Sequence, residues 1–263
     1  MMTNSAIIKT VQVLSPLFLG IVLYINYQSV NLPINGVSTK EISDMYSNLF
    51  TPAPITFSVW GIIYLGLVVY VIWQLRSVFS NVAVPEVDVV VQKIGVLFLM
   101  SCIFNGAWIF AWHSDKLLFS VILMLGLLLT LIEINKMISY RLPNTPQYKA
   151  VLKIPFGLYL GWISIATIAN IAAYLTKINW NGFGLDARFW QMLMVLVGSL
   201  IACWAVAKLN NVAYGIVVIW GLGGILMVRM NDAVPSLAIN LLIILCGLLV
   251  LFTTVRRIRF DTV

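Results

Sequence analysis

Three short runs hold most of the side chains able to recognise a ligand. In the first, Thr51-Pro52-Ala53-Pro54 leads into an apolar stretch where Phe57, Trp60, Gly61 and Tyr64 fall at i, i+3, i+4 and i+7. That spacing puts three aromatic rings on one helical face. In the second, Ser101, Asn105, Trp108 and Trp112 form one narrow helical stripe. The third, from Gly157 to Asn170, sets Trp162 and Asn170 among small residues. Indole rings with a few amides suit a flat, mostly apolar molecule. There is no nucleophile–base pair, no phosphate-binding loop and no pair of intramembrane carboxylates, so no enzyme class is indicated. Cys102, Cys203 and Cys246 lack the spacing of a metal site or a disulfide framework.

The elements that carry these runs follow from composition. The chain is 61% hydrophobic and 10% charged, with a mean hydropathy of +0.99, and its apolar residues come in long blocks. About 20 apolar residues cross a bilayer as a helix, and helices satisfy their own backbone there. Strict alternation is absent, which argues against a barrel. The expected fold is all-α: a polytopic membrane bundle of eight spans at 7–27, 54–74, 93–112, 117–138, 154–174, 189–208, 212–228 and 234–252. The prolines should end an extended loop and start the second helix. The seventh span is the weakest, being short and carrying Gly215, Gly221, Gly223 and Gly224. The first block is expected to be a retained helix, since no small-residue cleavage site follows it.

An even number of spans puts both termini on one side. That side collects Lys9, Arg76, Lys93, Lys136, Arg141, Lys149, Lys153, Lys208, Arg256, Arg257 and Arg259, eleven cations against five at Lys40, Lys116, Lys177, Arg188 and Arg229. The bias predicts cytoplasmic termini, in a bacterial inner membrane. The net charge of +7 then reads as topology and contact with anionic lipid, not a nucleic-acid partner. The first loop, 28–53, with Asn31, Pro33, Asn35-Gly36, Glu41 and Asp44, lies outside and is expected to act as a lid.

At ~1.5 Å per residue, Trp60, Asn105, Trp108 and Asn170 all lie within roughly 10 Å of the outer helix ends, with Tyr64 and Trp162 deeper. If the helices face one another, these residues line a pocket under the loop. Plainer roles stand beside this one. Trp112 suits an interfacial aromatic belt, and Asn105 suits either cavity lining or an interhelical hydrogen bond. Gly157 and Gly161 form a GxxxG step for packing within the bundle or in a homodimer. His113 can ligate iron or sense pH, but a solvated loop histidine is the expectation. Glu133 should pair with Lys136 and reach the interface. The C-terminal arginines anchor the inner face.

The run from Pro52-Ala53-Pro54 through Val59-Trp60-Gly61-Ile62-Ile63-Tyr64 resembles the second helix of the TspO/translocator protein family, the tryptophan-rich sensory proteins. Asn105-Gly106-Ala107-Trp108 is similar to that family's third-helix motif, and Trp162 to Asn170 to its fifth-helix signature. The resemblance covers roughly residues 7–177, a five-helix unit, with 178–263 as three further helices and a basic tail. It implies a receptor-like protein that needs no obligatory cofactor and binds a tetrapyrrole such as porphyrin or haem, or a sterol-like ligand. The implied pocket residues are Trp60, Tyr64, Asn105, Trp108, Trp162, Ala166 and Asn170, with Phe57 added from the helical face. A small transporter for such a molecule is the alternative, though intramembrane charge is nearly absent. The sterol-recognition pattern after the fifth helix is incomplete: Tyr174 and Lys177 are present without the preceding Leu or Val.

Overall fold

A computed structural model describes residues 4–31, 34–80 and 84–260. Pro33 and the Arg259 side chain, both named above, lie outside the described residues. Among the described residues, eight helices are long and apolar enough to cross a membrane. They are α1 (Asn4–Asn31), α2 (Val59–Phe79), α3 (Val96–His113), α4 (Leu117–Arg141), α5 (Ile154–Lys177), α6 (Ala187–Leu209), α7 (Val212–Met230) and α8 (Leu237–Phe260). No strand occurs among the described residues. This is the expected polytopic helical bundle, with most helices longer than the apolar blocks suggest. The third span starts at Pro85 and the fifth at Pro146, each through a π-helical turn, Val91–Gly95 and Lys149–Lys153. Pro155 follows the second of these turns, where its missing N–H interrupts the regular ladder.

The first loop is more structured than an extended lid. A 3-10 turn at Ile34–Gly36 has Asn35 in the left-handed region at φ 57°, and a helix follows at Thr39–Met45. The prolines act as expected, with one refinement. Pro54–Ser58 forms a 3-10 turn, so the α-helix begins at Val59 and Phe57 sits just ahead of it.

The chain forms two compact units, Met1–Thr39 with Gly61–Phe156, and Lys40–Trp60 with Gly157–Val263. The partition does not follow chain order, and two of its three boundaries fall inside α2 and α5. In the first unit Tyr70, Phe98 and Phe156 pack edge-to-face, with centroids 5.1, 5.1 and 6.2 Å apart. Gln12 is fully buried and donates to the Gln74 carbonyl at 3.1 Å and to Ser77 Oγ at 3.0 Å. Asn135 donates to the Phe156 carbonyl at 3.0 Å. Such bonds offset part of the cost of burying an amide in an apolar core. Glu133 pairs with Lys136 at 2.7 Å, as its i+3 spacing predicts.

In the second unit the glycine-rich α7 is enclosed on several sides. A Cβ at Gly221 would stand 3.0 Å from Ile165 of α5, one at Gly215 would strike Thr254 of α8, and one at Gly224 would strike Thr56 of the 54–58 turn. Gly161 faces α7, where a Cβ would come 2.8 Å from the Tyr214 carbonyl, and Gly157 makes room for Asn211. The GxxxG step therefore packs α5 against α7 within the chain. The glycines that make the seventh span look weak as a sequence are what let its neighbours approach.

Candidate functional site

Within the second unit the structure brings Phe57, Trp60 and Trp162 together. The turn carrying Phe57 is fixed by two hydrogen bonds to α7: Ala53 N–H donates to the Gly224 carbonyl at 3.0 Å, and Trp220 Nε1 donates to the Thr56 carbonyl at 3.0 Å. One helical turn on, Trp60 projects toward the same α5 surface. Trp162 meets Phe57 edge-on at 5.5 Å and Trp60 at 6.2 Å, and Trp60 meets Tyr159 at 5.8 Å. Each such pair adds about 0.5–1.5 kcal/mol beyond burial. Trp162 and Tyr159 are buried, whereas Phe57 and Trp60 are half-buried and form the outer layer. The Trp162 indole Nε1 is buried and has no acceptor. Ala166, half-buried, and Asn170, buried, continue along α5.

The remaining predicted residues, Tyr64, Asn105 and Trp108, belong to the first unit. Asn105 is buried and its Oδ1 accepts from Asn26 Nδ2 at 3.1 Å, an interhelical bond between α3 and α1. Trp108 stacks on Trp112, with centroids 5.7 Å apart and planes at 26°. Trp112 is not an interfacial anchor: it is 5% exposed, and its Nε1 donates to the Thr39 carbonyl at 3.2 Å. His113 likewise departs from the expected solvated residue, being 3% exposed. Its Nδ1 faces the carbonyls of Val37 at 2.9 Å and Ile34 at 3.4 Å, while Nε2 lies 2.9 Å from Thr39 Oγ1. The two carbonyls call for a proton on Nδ1, and in the neutral ring Nε2 then accepts from the threonine hydroxyl. Both ring nitrogens are thus used in fastening residues 34–39, and Asn35 Nδ2 adds a bond to the His113 carbonyl at 3.1 Å.

A sizeable void in the second unit lies elsewhere, at the end of α5 and the start of α6. Its volume is about 700 Å³, with Ile168, Ile171, Ala172 and Leu175 on one wall, Trp190 and Met194 on another, and Leu49 and Phe50 over it. A smaller cavity of about 240 Å³ shares Leu49 and Gln191 with it and is lined by Arg188, Arg229, Asp232 and Ser236. Trp180 and Trp190 pack at 5.0 Å, and Trp190 Nε1 fastens the intervening turn through the Gly182 carbonyl at 3.0 Å.

A family model described as TSPO-like protein matches residues 12–255. The chain belongs to the TSPO-like family. The match runs through α6, α7 and α8 as well as the first five helices, so the resemblance does not stop near residue 177. No curated protein and no solved structure matches the chain. In this TSPO-like protein no group of three or more metal-ligating side chains occurs among the described residues.

Sequence reasoning overlooked the walls of the 700 Å³ cavity and its polar annexe. Trp180 and Trp190 flank the Asn181-Gly182 turn, a signal for a loop-end aromatic pair. Arg229 is a cation in the last turn of α7, and it counted in the sequence only toward topology. Gln191 gives no sequence signal, because its role depends on the fold bringing Leu49 beside it: its Nε2 donates to the Leu49 carbonyl at 2.6 Å.

Proposed function

We propose that this integral membrane protein of the TSPO-like family binds a flat hydrophobic ligand, a tetrapyrrole such as porphyrin or haem or a sterol-like molecule. The Phe57–Trp60–Tyr159–Trp162 cluster is the proposed recognition surface. One observation carries the reading: the buried indole N–H of Trp162 has no acceptor inside the aromatic cluster. An unmet buried donor costs about 1–3 kcal/mol, and a ligand carrying an acceptor on a flat apolar frame offsets that cost. Phe57 and Trp60, the half-buried outer rings, are the ones that must swing aside to admit it. The reading is of a binder rather than a catalyst, with no obligatory cofactor. The cation bias supports cytoplasmic termini.

The test is a titration of the purified protein in detergent with protoporphyrin, followed by tryptophan fluorescence. Saturable quenching is expected, with affinity at least tenfold weaker for Trp60→Ala and for Trp162→Phe, which keeps an aromatic ring but removes the donor. Parental binding by both variants overturns the proposed site.

A further inference from the structure

We propose that the loop end of the second unit holds a site for an amphipathic carboxylate. A single long apolar body would lie in the 700 Å³ cavity and the acid group in the adjoining 240 Å³ cavity, on Arg229 and Arg188. None of the residues in the aromatic cluster lines either cavity, so this site stands independently of the porphyrin reading.

The two cavities adjoin at Leu49 and Gln191, which line both and are hydrogen-bonded to each other. The apolar limb is built by α5, where Ile168, Ile171, Ala172 and Leu175 follow i, i+3, i+4, i+7 and extend it by about 10 Å along the helix. Trp190 and Met194 face them from α6. Its volume lies within the range of ordinary small-molecule sites.

The polar limb carries the specificity. Arg229 is 8% exposed, and one terminal nitrogen reaches Asp232 at 3.3 Å. Its Nε is buried with no acceptor. Arg188, Arg229 and one carboxylate, Asp232, line this cavity, so its lining carries a net positive charge. A carboxylate matches both the charge and the planar donor fork of a guanidinium. Gln191 is 3% exposed, its Nε2 is held by Leu49, and its Oε1 is buried without a donor. A water carried in with the acid group would donate there. One apolar limb leading to one small cationic chamber fits a single-tailed acid better than a two-tailed phospholipid with a bulky headgroup.

The experiment titrates the full chain in uncharged detergent with hexadecanoate, following tryptophan fluorescence, beside hexadecanol and an anionic phosphatidylglycerol. Saturable binding of hexadecanoate is expected, at least tenfold tighter than hexadecanol. Arg229→Gln should weaken it at least tenfold and abolish the preference for the acid. Ala172→Trp, which fills the apolar limb, should weaken acid and alcohol alike. If Arg229→Gln fails to fold, Arg188→Gln at its exposed position decides, with at least a threefold loss expected for the acid alone. Equal binding of acid and alcohol overturns the proposal. So does parental affinity in the arginine variant that decides, or displacement of hexadecanoate by phosphatidylglycerol at equal concentration.

Discussion

Replacing Gly224 with alanine tests how the second unit holds the aromatic turn. The added methyl would strike the Thr56 side chain, and the Ala53 N–H to Gly224 carbonyl bond of 3.0 Å lies at the same contact. Overpacking of this kind costs about 1–3 kcal/mol, and the loosened backbone bond about 1 kcal/mol more. Alanine's better helix propensity returns about 0.5–1 kcal/mol. The net is a destabilisation of roughly 1–3 kcal/mol, which at about 2–4 °C per kcal/mol lowers the melting temperature by roughly 2–12 °C. Thr56→Ala alone should be close to neutral, because the hydroxyl it removes is buried and has no hydrogen-bond partner. The decisive measurement is the double variant, followed by thermal unfolding in detergent. Thr56→Ala removes the atoms that the new methyl at position 224 would meet first, so Gly224→Ala/Thr56→Ala should recover most of the loss. Additive behaviour of the two substitutions would refute the idea that this contact explains the glycine.

Three further substitutions probe other parts of the chain. Asn26→Ala removes the amide donor to Asn105 and should cost about 0.6–1.7 kcal/mol, read from the same unfolding transitions. His113→Ala deletes the three ring contacts to residues 34–39, so amide hydrogen exchange should rise across that segment while the middle of α3 stays protected. Glu133→Gln should shift stability by less than about 0.5 kcal/mol, because its pair with Lys136 is exposed; a larger loss in the melting curve would mark a role beyond surface pairing.

The eight helices were legible because the bilayer imposes a length and a composition that apolar blocks reveal directly. The partners of the polar residues were not. Asn105 reads equally as cavity lining or as an interhelical bond until Asn26 is placed beside it, 79 residues away in sequence. Trp112 and His113 misled for one reason: at the end of a helix, residue type suggests solvent or interface, yet the loop folds back and buries both. The three aromatic side chains of the candidate site that meet, Phe57, Trp60 and Trp162, combine a local spacing rule with one motif on α5. Arg229 and Gln191 were invisible as a pair because neither lies in a motif, and only the fold brings a helix end, a helix start and Leu49 to one cavity.

The first loop illustrates why a long connection between spans need not be a single lid. Its early part is held in the first unit by His113, Trp112 and Asn35, through four hydrogen bonds of 2.9–3.2 Å. Its later part is held in the second unit by Gln191 on Leu49, by Gly224 on Ala53 and by Lys177 over the Tyr46 ring at 5.8 Å. At about 1 kcal/mol net for each neutral bond, freeing the early part costs roughly 4 kcal/mol and holds its open population near one in a thousand. The later part carries Leu49 and Phe50 at the 700 Å³ cavity, so its own anchors govern entry there. Access for a ligand should therefore depend on Gln191 and Gly224 rather than on His113. His113→Ala would loosen residues 34–39 without speeding hexadecanoate association, whereas Gln191→Leu, which frees the Leu49 carbonyl, would speed it. Equal association rates in the two variants would show that the loop moves as one piece after all.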